Sequence, residues 1–243
     1  MDFTLEKYRE LLISLKNYGD ISLRHDVDLK PENSLRTAIV EKELGLKATY
    51  YFRAVPESWD EEIILKIASL GHEIGYHYES LTTCNGDVDA AWEDFKTNLE
   101  RLRKLVPVIK ICMHGSPQSK WDSKDIWKKY DYHSVGVEFE PYLDTDFSQT
   151  FYLTDTGRCW DGWKVSVRDK IPGYQDVWVK QGLVYHSTDD IIVAAKSGTL
   201  PHRVMITTHP QRWTDSFGSW LKELVLQKCK NIIKSLLIIL NNN

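Results

Sequence analysis

Apolar positions along the chain alternate between helical and extended spacing. Residues 3–16 place Leu5, Tyr8, Leu11, Leu12 and Leu15 on one helical face, and residues 20–28 then read as a strand that stops at charged residues. The spacing predicts a helix over 32–44 that closes at Gly45, and an aromatic-rich strand over 48–55. It predicts a further helix over 60–70, with Ile63, Ile64, Ile67 and Leu70 on one face and Gly71 at its end. Residues 72–78 read as a third strand, with a loop at 82–86. A helix over 88–105 turns Trp92, Phe95, Leu99, Leu102 and Leu105 inward, and residues 106–113 form a fourth strand.

The middle of the chain, 134–172, reads as short strand-like pieces with turns at 155–157 and 160–163. A helix over 189–196 follows, with Ser187 or Thr188 as its N-cap, then a last strand over 204–208 and a final helix over 221–240. Strands alternating with helices across short connections imply a parallel sheet, closed or nearly closed, in one α/β domain over 1–243. Barrels of this class carry their chemistry at the C-terminal ends of the strands. The strand ends are therefore where functional side chains are to be sought.

Composition narrows the classes. Hydrophobic residues make up 42% and charged residues 27%, which excludes a disordered chain. A net charge of −4 gives no sign of the excess positive charge that a nucleic-acid surface needs. Cys84, Cys112, Cys159 and Cys229 form no ligand spacing and fit reduced thiols. The N-terminus lacks the apolar stretch of a secretory signal, so a cytoplasmic location is expected. The apolar C-terminal run is broken by lysines and too short to span a bilayer, so an amphipathic helix packed on the body is expected, with membrane contact through that helix as the lesser alternative. Nine tryptophans are unusual and suit stacking surfaces as well as cores.

Four strand ends carry polar residues. The first ends in Arg24-His25-Asp26-Val27-Asp28, and residues two apart on a strand share a face, so Asp26 and Asp28 project together. Neighbouring carboxylates repel unless a metal, a proton or a cation offsets them, though a lone pair of this kind also fits a solvated loop entrance. By the same alternation His77 and Glu79 share a face, while His72 sits at the strand start and reads as structural. His114 follows the fourth strand and His209 the last. Arg53, ending the second strand, could reach a sugar-linked phosphate or orient Asp26. In the turn-rich 155–163 segment, Arg158 and Trp160, with Trp163 behind them, could hold a phosphate and stack on a sugar ring, or could form a loop-closing ion pair with Asp155 and a core contact. Arg212 and Trp213, just after His209, read the same way.

Arg24-His25-Asp26-Val27-Asp28, Gly71-His72-Glu73-Ile74-Gly75-Tyr76-His77 and Thr208-His209, in that order, resemble the polysaccharide deacetylase (NodB-homology) superfamily, especially divergent bacterial members of surface-polysaccharide and O-antigen biosynthesis. The resemblance runs from about Ile21 to Trp213, and its most specific piece is the Gly-His-Glu-Ile-Gly-x-His string. It implies a distorted, incomplete (β/α) barrel of about seven parallel strands and a metal-dependent amide hydrolase acting on acylated sugars. It implies Asp26 as catalytic base, Asp28 and His77 as metal ligands, and His209 as general acid.

The chain departs from that pattern in two places. Leu81 stands where the second metal histidine is expected, and the fourth strand lacks the arginine that orients the base. Glu79 or His114 could supply the third ligand of a divalent metal, expected to be Zn²⁺, with His114 preferred. The implied substrate is a nucleotide-linked or lipid-linked sugar. A catalytically silent sugar-binding protein is the alternative that Leu81 motivates, and an acid/base pair of Asp26 and Asp28 without metal is a weaker third.

Overall fold

The computed structural model describes residues 1–116, 119–160 and 169–241, the side chains of 234–241 excepted. Thr4 caps helix α1 (Leu5–Leu15) through its side-chain oxygen, and α1 buries Tyr8, Leu11, Leu12 and Leu15. Strand β1 (Asp20–Val27) follows. Pro31 opens α2 (Pro31–Glu43), and after Gly45, at φ 71°, comes β2 (Thr49–Phe52). Asp60 caps α3 (Glu61–Ser69), which leads to β3 (Glu73–Tyr78), a single helical turn α4 (Ser80–Thr83), α5 (Val88–Arg103) and β4 (Ile111–Met113).

Two 3-10 segments, a short α6 (Pro141–Asp144), β5 (Phe151–Thr154) and α7 (Gln175–Lys180) fill the middle. Ser187 and Asp190 form a reciprocal capping box on α8 (Thr188–Ser197), settling the N-cap as Ser187. The chain closes with β6 (Arg203–Thr208) and the long α9 (Phe217–Asn241), which begins four residues before the expected start.

The described strands form one parallel sheet of six, in the order β4-β3-β2-β1-β6-β5. The expected seventh strand is absent among the described residues: within 134–160 and 169–172 the backbone forms the end of a 3-10 turn, α6 and further turns, and β5 is the one strand. The fourth strand is also shorter than its apolar run. Pro107 cannot donate to a ladder, and residues 109–111 instead bond to the 138–139 backbone. Gly75 serves a close approach: a Cβ there would meet the Tyr51 ring at 2.4 Å. Tyr51 in turn lies beside the Arg24 guanidinium.

Beneath the strand ends runs a buried polar network. Glu41 of α2 accepts from His25 Nε2 at 2.6 Å and from the Tyr8 and Tyr50 hydroxyls, and His25 Nδ1 meets Thr208 Oγ1 at 2.6 Å. Buried polar groups satisfied this fully define one arrangement of the elements that carry them. Here they tie α1 and α2 to β1, β2 and β6. His72 is structural: its Nε2 donates to Ala38 O at 2.9 Å and its Nδ1 accepts from Ala48 N at 3.2 Å.

Candidate active site

Parallel register brings the polar strand ends to one rim, with His25 opposite Thr208, Asp26 opposite Tyr51, and His77 opposite Cys112. Alternation on β1 sends Arg24 and Asp26 to the same side. Arg24 Nε donates to Asp26 Oδ1 at 2.8 Å and Nη2 to Oδ2 at 2.6 Å, a buried fork-to-fork pair. Burial alone would raise the Asp26 pKa, but Arg24 and then His77 outweigh it and hold the carboxyl below its ordinary range. The arginine absent from β4 is thus supplied within β1 itself, two residues before the carboxylate it holds.

Asp28, His77 and His114 converge, with one ligand atom of each within 4.8 Å of the others. Asp28 Oδ1 lies 3.6 Å from His77 Nε2 and 3.5 Å from His114 Nε2. Ligand atoms around a tetrahedral zinc are ~3.4 Å apart, given bonds of about 2.0–2.1 Å. His77 Nδ1 meets Cys112 O at 2.9 Å, and a carbonyl only accepts, so the proton sits on Nδ1. His114 Nδ1 donates to Glu79 Oε2 at 2.9 Å. Both imidazoles therefore aim an Nε2 at Asp28, the tautomer that metal ligation requires.

Asp28 Oδ1 is buried and makes no hydrogen bond. An anionic oxygen without a donor, facing two imidazole nitrogens, fits a divalent cation bound by one oxygen and two nitrogens. Burial opposes ionisation of Asp28. With His77, His114 and His209 protonated, hydrogen bonding from His77 and the three positive charges outweigh burial and hold the Asp28 pKa well below the usual range, so the site favours positive charge beside Asp28. Leu81 is buried on α4, and His114 on the neighbouring strand end occupies the place beside His77.

His209 follows β6. Its Nδ1 donates to Asp155 Oδ1 at 2.6 Å, and its Nε2 lies 3.8 Å from Asp28 Oδ2 and 4.0 Å from Asp169 Oδ2. Burial and then Arg212 lower the His209 pKa, but Asp155 prevails and the net shift is upward. Asp155 is itself buried and accepts from Arg212 Nη1 and from Trp213 Nε1, the latter at 2.8 Å. Arg212 and Trp213 therefore hold Asp155 from inside the protein rather than overhanging a pocket.

Two other expectations are corrected. No Asp155–Arg158 ion pair forms; only a backbone turn joins them, from Arg158 N to Asp155 O at 2.9 Å. Arg158 is buried against the rings of Phe3 and Trp220, and Trp160 is buried beside Phe3 and Trp213, with Nε1 donating to Thr188 Oγ1 at 2.9 Å. Neither offers a surface to a sugar. Trp163 lies outside the described residues.

Arg53 and Glu79 do reach the rim, but they bond to each other. Arg53 Nε and Nη2 donate to Glu79 Oε1 at 2.9 and 2.7 Å, and Arg53 Nη1 donates to Asp28 O at 3.2 Å. Burial would raise the Glu79 pKa, but His114 and Arg53 bring it down to about 2. In the sequence Arg24 appears only as part of the first motif and Asp155 only as an ion-pair partner of Arg158, with no role in the site for either. Alternation on β1 could have found Arg24, whereas nothing local marks Asp155.

No protein-family model matches the chain, and no curated protein matches it. Solved structures do resemble it. A CE4 family pseudoenzyme from Bacillus anthracis is 13% identical over 87% of this chain, with a TM-score of 0.48, and the chain spans 60% of that protein's length. A mutant of the peptidoglycan deacetylase PdaC from Bacillus subtilis is 14% identical, covering 90% of this chain and 96% of its own, with a TM-score of 0.40. The Xyl-CE4 domain of a multidomain xylanase from the hindgut metagenome of Trinervitermes trinervoides is 12% identical, covering 93% and 85%, also at 0.40.

Proposed function

We propose that the protein is a metal-dependent amide hydrolase that removes an N-acyl group from a carbohydrate intermediate of bacterial surface-polysaccharide synthesis, a cytoplasmic nucleotide-linked or lipid-linked sugar. The observation that carries this reading is the convergence of Asp28, His77 and His114 around the unpartnered Asp28 Oδ1, with Asp26 and His209 beside it. Asp28, His77 and His114 would hold the cation, and their mixed oxygen and nitrogen donors favour Zn²⁺. A divalent cation so held supplies Lewis acidity that polarises a carbonyl and lowers the pKa of water toward about 7.

The chain's own residues do the proton work. Asp26, kept ionised by Arg24, accepts a proton as the water oxygen bonds to the amide carbon. His209, kept protonated by Asp155, gives the Nε2 proton to the nitrogen as the C–N bond breaks, so a carboxylic acid and an amine leave. Arg53 and Glu79 act behind the site: Glu79 fixes the His114 ring, and Arg53 fixes Glu79 and the Asp28 backbone.

The test is amine release from N-acetylated sugar nucleotides and lipid-linked sugars by zinc-loaded protein. Asp26→Asn should keep the metal and lose turnover by at least about 10²-fold. Full turnover in that variant would remove Asp26 from the base role. A groove-binding protein without catalysis would instead hold the saccharide with unchanged affinity in chelator.

A further inference from the structure

Helix α9 turns a mixed stripe toward the body, Trp220, Leu224, Gln227 and Asn231. Gln227 is only 5% exposed and bonds to Asn231 Oδ1 at 2.8 Å, and Asn231 Nδ2 donates to Gly157 O at 2.7 Å. Trp220 Nε1 donates to Asp2 O at 2.6 Å, and its backbone oxygen accepts from Arg158 Nη1. The opposite side is apolar and open to solvent. Val225 is 53% exposed, Ile232 63% and Ile233 57%, with Leu221 and Leu226 also exposed. A helix packed on a globular body normally points its apolar stripe inward, so this orientation is inverted. The sequence continues beyond Ile233 with Leu236, Leu237, Ile238, Ile239 and Leu240.

Charge selects the occupant of that face. The helix carries Lys222, Lys228, Lys230 and Lys234 against the single acid Glu223, within a chain of net charge −4. At about 100° per residue, Lys228 and Lys230 fall on opposite flanks of the Gln227 stripe and border the apolar face, Lys222 lies within it near the helix start, and Lys234 falls on the Gln227 side. A second copy of the helix would set like charges against each other, which is unfavourable. An anionic lipid surface meets both features, since apolar side chains enter the acyl boundary while lysine stems extend toward headgroups. No helix among the described residues is long and apolar enough to cross a membrane, so the contact is with a surface.

We propose that α9 is an interfacial anchor that docks the protein on a phospholipid surface bearing negative charge. The proposal does not rest on the strand-end chemistry, because no residue of α9 belongs to that site.

Flotation of the full chain with vesicles tests it. Binding is expected to phosphatidylcholine vesicles holding about one third phosphatidylglycerol, at least about tenfold stronger than to phosphatidylcholine alone, and weakened by salt. The double variant Val225→Glu, Ile232→Glu should lose flotation with an unchanged unfolding midpoint, since both positions are exposed. Lys228→Glu with Lys230→Glu should remove the preference for anionic vesicles. Failure of the wild type to float, or flotation that survives the Val225/Ile232 double variant, overturns the anchor. So does a dimer in sedimentation velocity that the same variant dissociates.

Discussion

Arg24 grips both carboxylate oxygens of Asp26 from two residues upstream on the same strand, and both side chains are buried. The base and the group that ionises it therefore move as one piece of backbone. Removing one partner of a buried pair costs about 3–5 kcal/mol, so Arg24→Ala would confound folding with catalysis. Arg24→Lys keeps the charge and loses the fork. That variant should lower kcat by about 10²-fold with little change in KM or zinc content. Steady-state kinetics beside elemental analysis checks this, and a loss confined to KM would contradict it.

Asp155 governs the protonation of His209. Burial and Arg212 push the imidazole pKa down and Asp155 pushes it up, with a net rise above 6.5. A raised histidine contributes stability that is fully present below its unfolded pKa and lost as pH rises through the folded value. The general acid follows the same sign, so activity should fall on the alkaline side as His209 deprotonates. In Asp155→Asn the largest raising influence is lost and only the weaker one of Asp28 remains against burial and Arg212, so that alkaline limb should move to lower pH. A pH–rate profile measures it. A limb left in place would assign the titration to another group.

Glu79 touches His114, and its effect should appear in metal affinity. Outer partners of ligating histidines typically contribute 10–100-fold in affinity. Glu79→Gln should therefore weaken zinc binding by about tenfold in a competition assay with a chromophoric chelator. Equal affinity in that variant would separate Glu79 from the metal site.

Trp160 belongs to the core. Trp160→Ala should cost about 3–5 kcal/mol in chemical denaturation, as for other large-to-small core changes. In the folded fraction, KM for the sugar should not move. A KM effect without loss of stability would restore the stacking role.

The rim was legible in part because strand alternation is a strict period of two, which turned His77 toward the edge that carries Asp26; Asp28 lies just past β1, where its N–H bonds back to Asp26 O at 3.1 Å. Helix boundaries were legible where caps marked them, as at Ser187 and at Gly45. What stayed hidden depended on long-range packing. Asp155 meets His209 across 54 positions of sequence. Trp160 is buried because the N-terminal Phe3, with φ 59°, lies against it. Among the described residues the sheet has six strands where seven are expected, because the described part of the middle segment forms α6 and turns around β5 despite its β-like composition. The final helix reads as amphipathic in either orientation, and only the structure shows which side faces the body.

Zinc stoichiometry across four variants tests the central claim most directly. Protein purified without an affinity tag should hold one zinc per chain, retained in Leu81→Ala and lost in Asp28→Ala, His77→Ala and His114→Ala. Retention of the metal in His114→Ala, or no binding by the wild type at saturating Zn²⁺, would contradict the site.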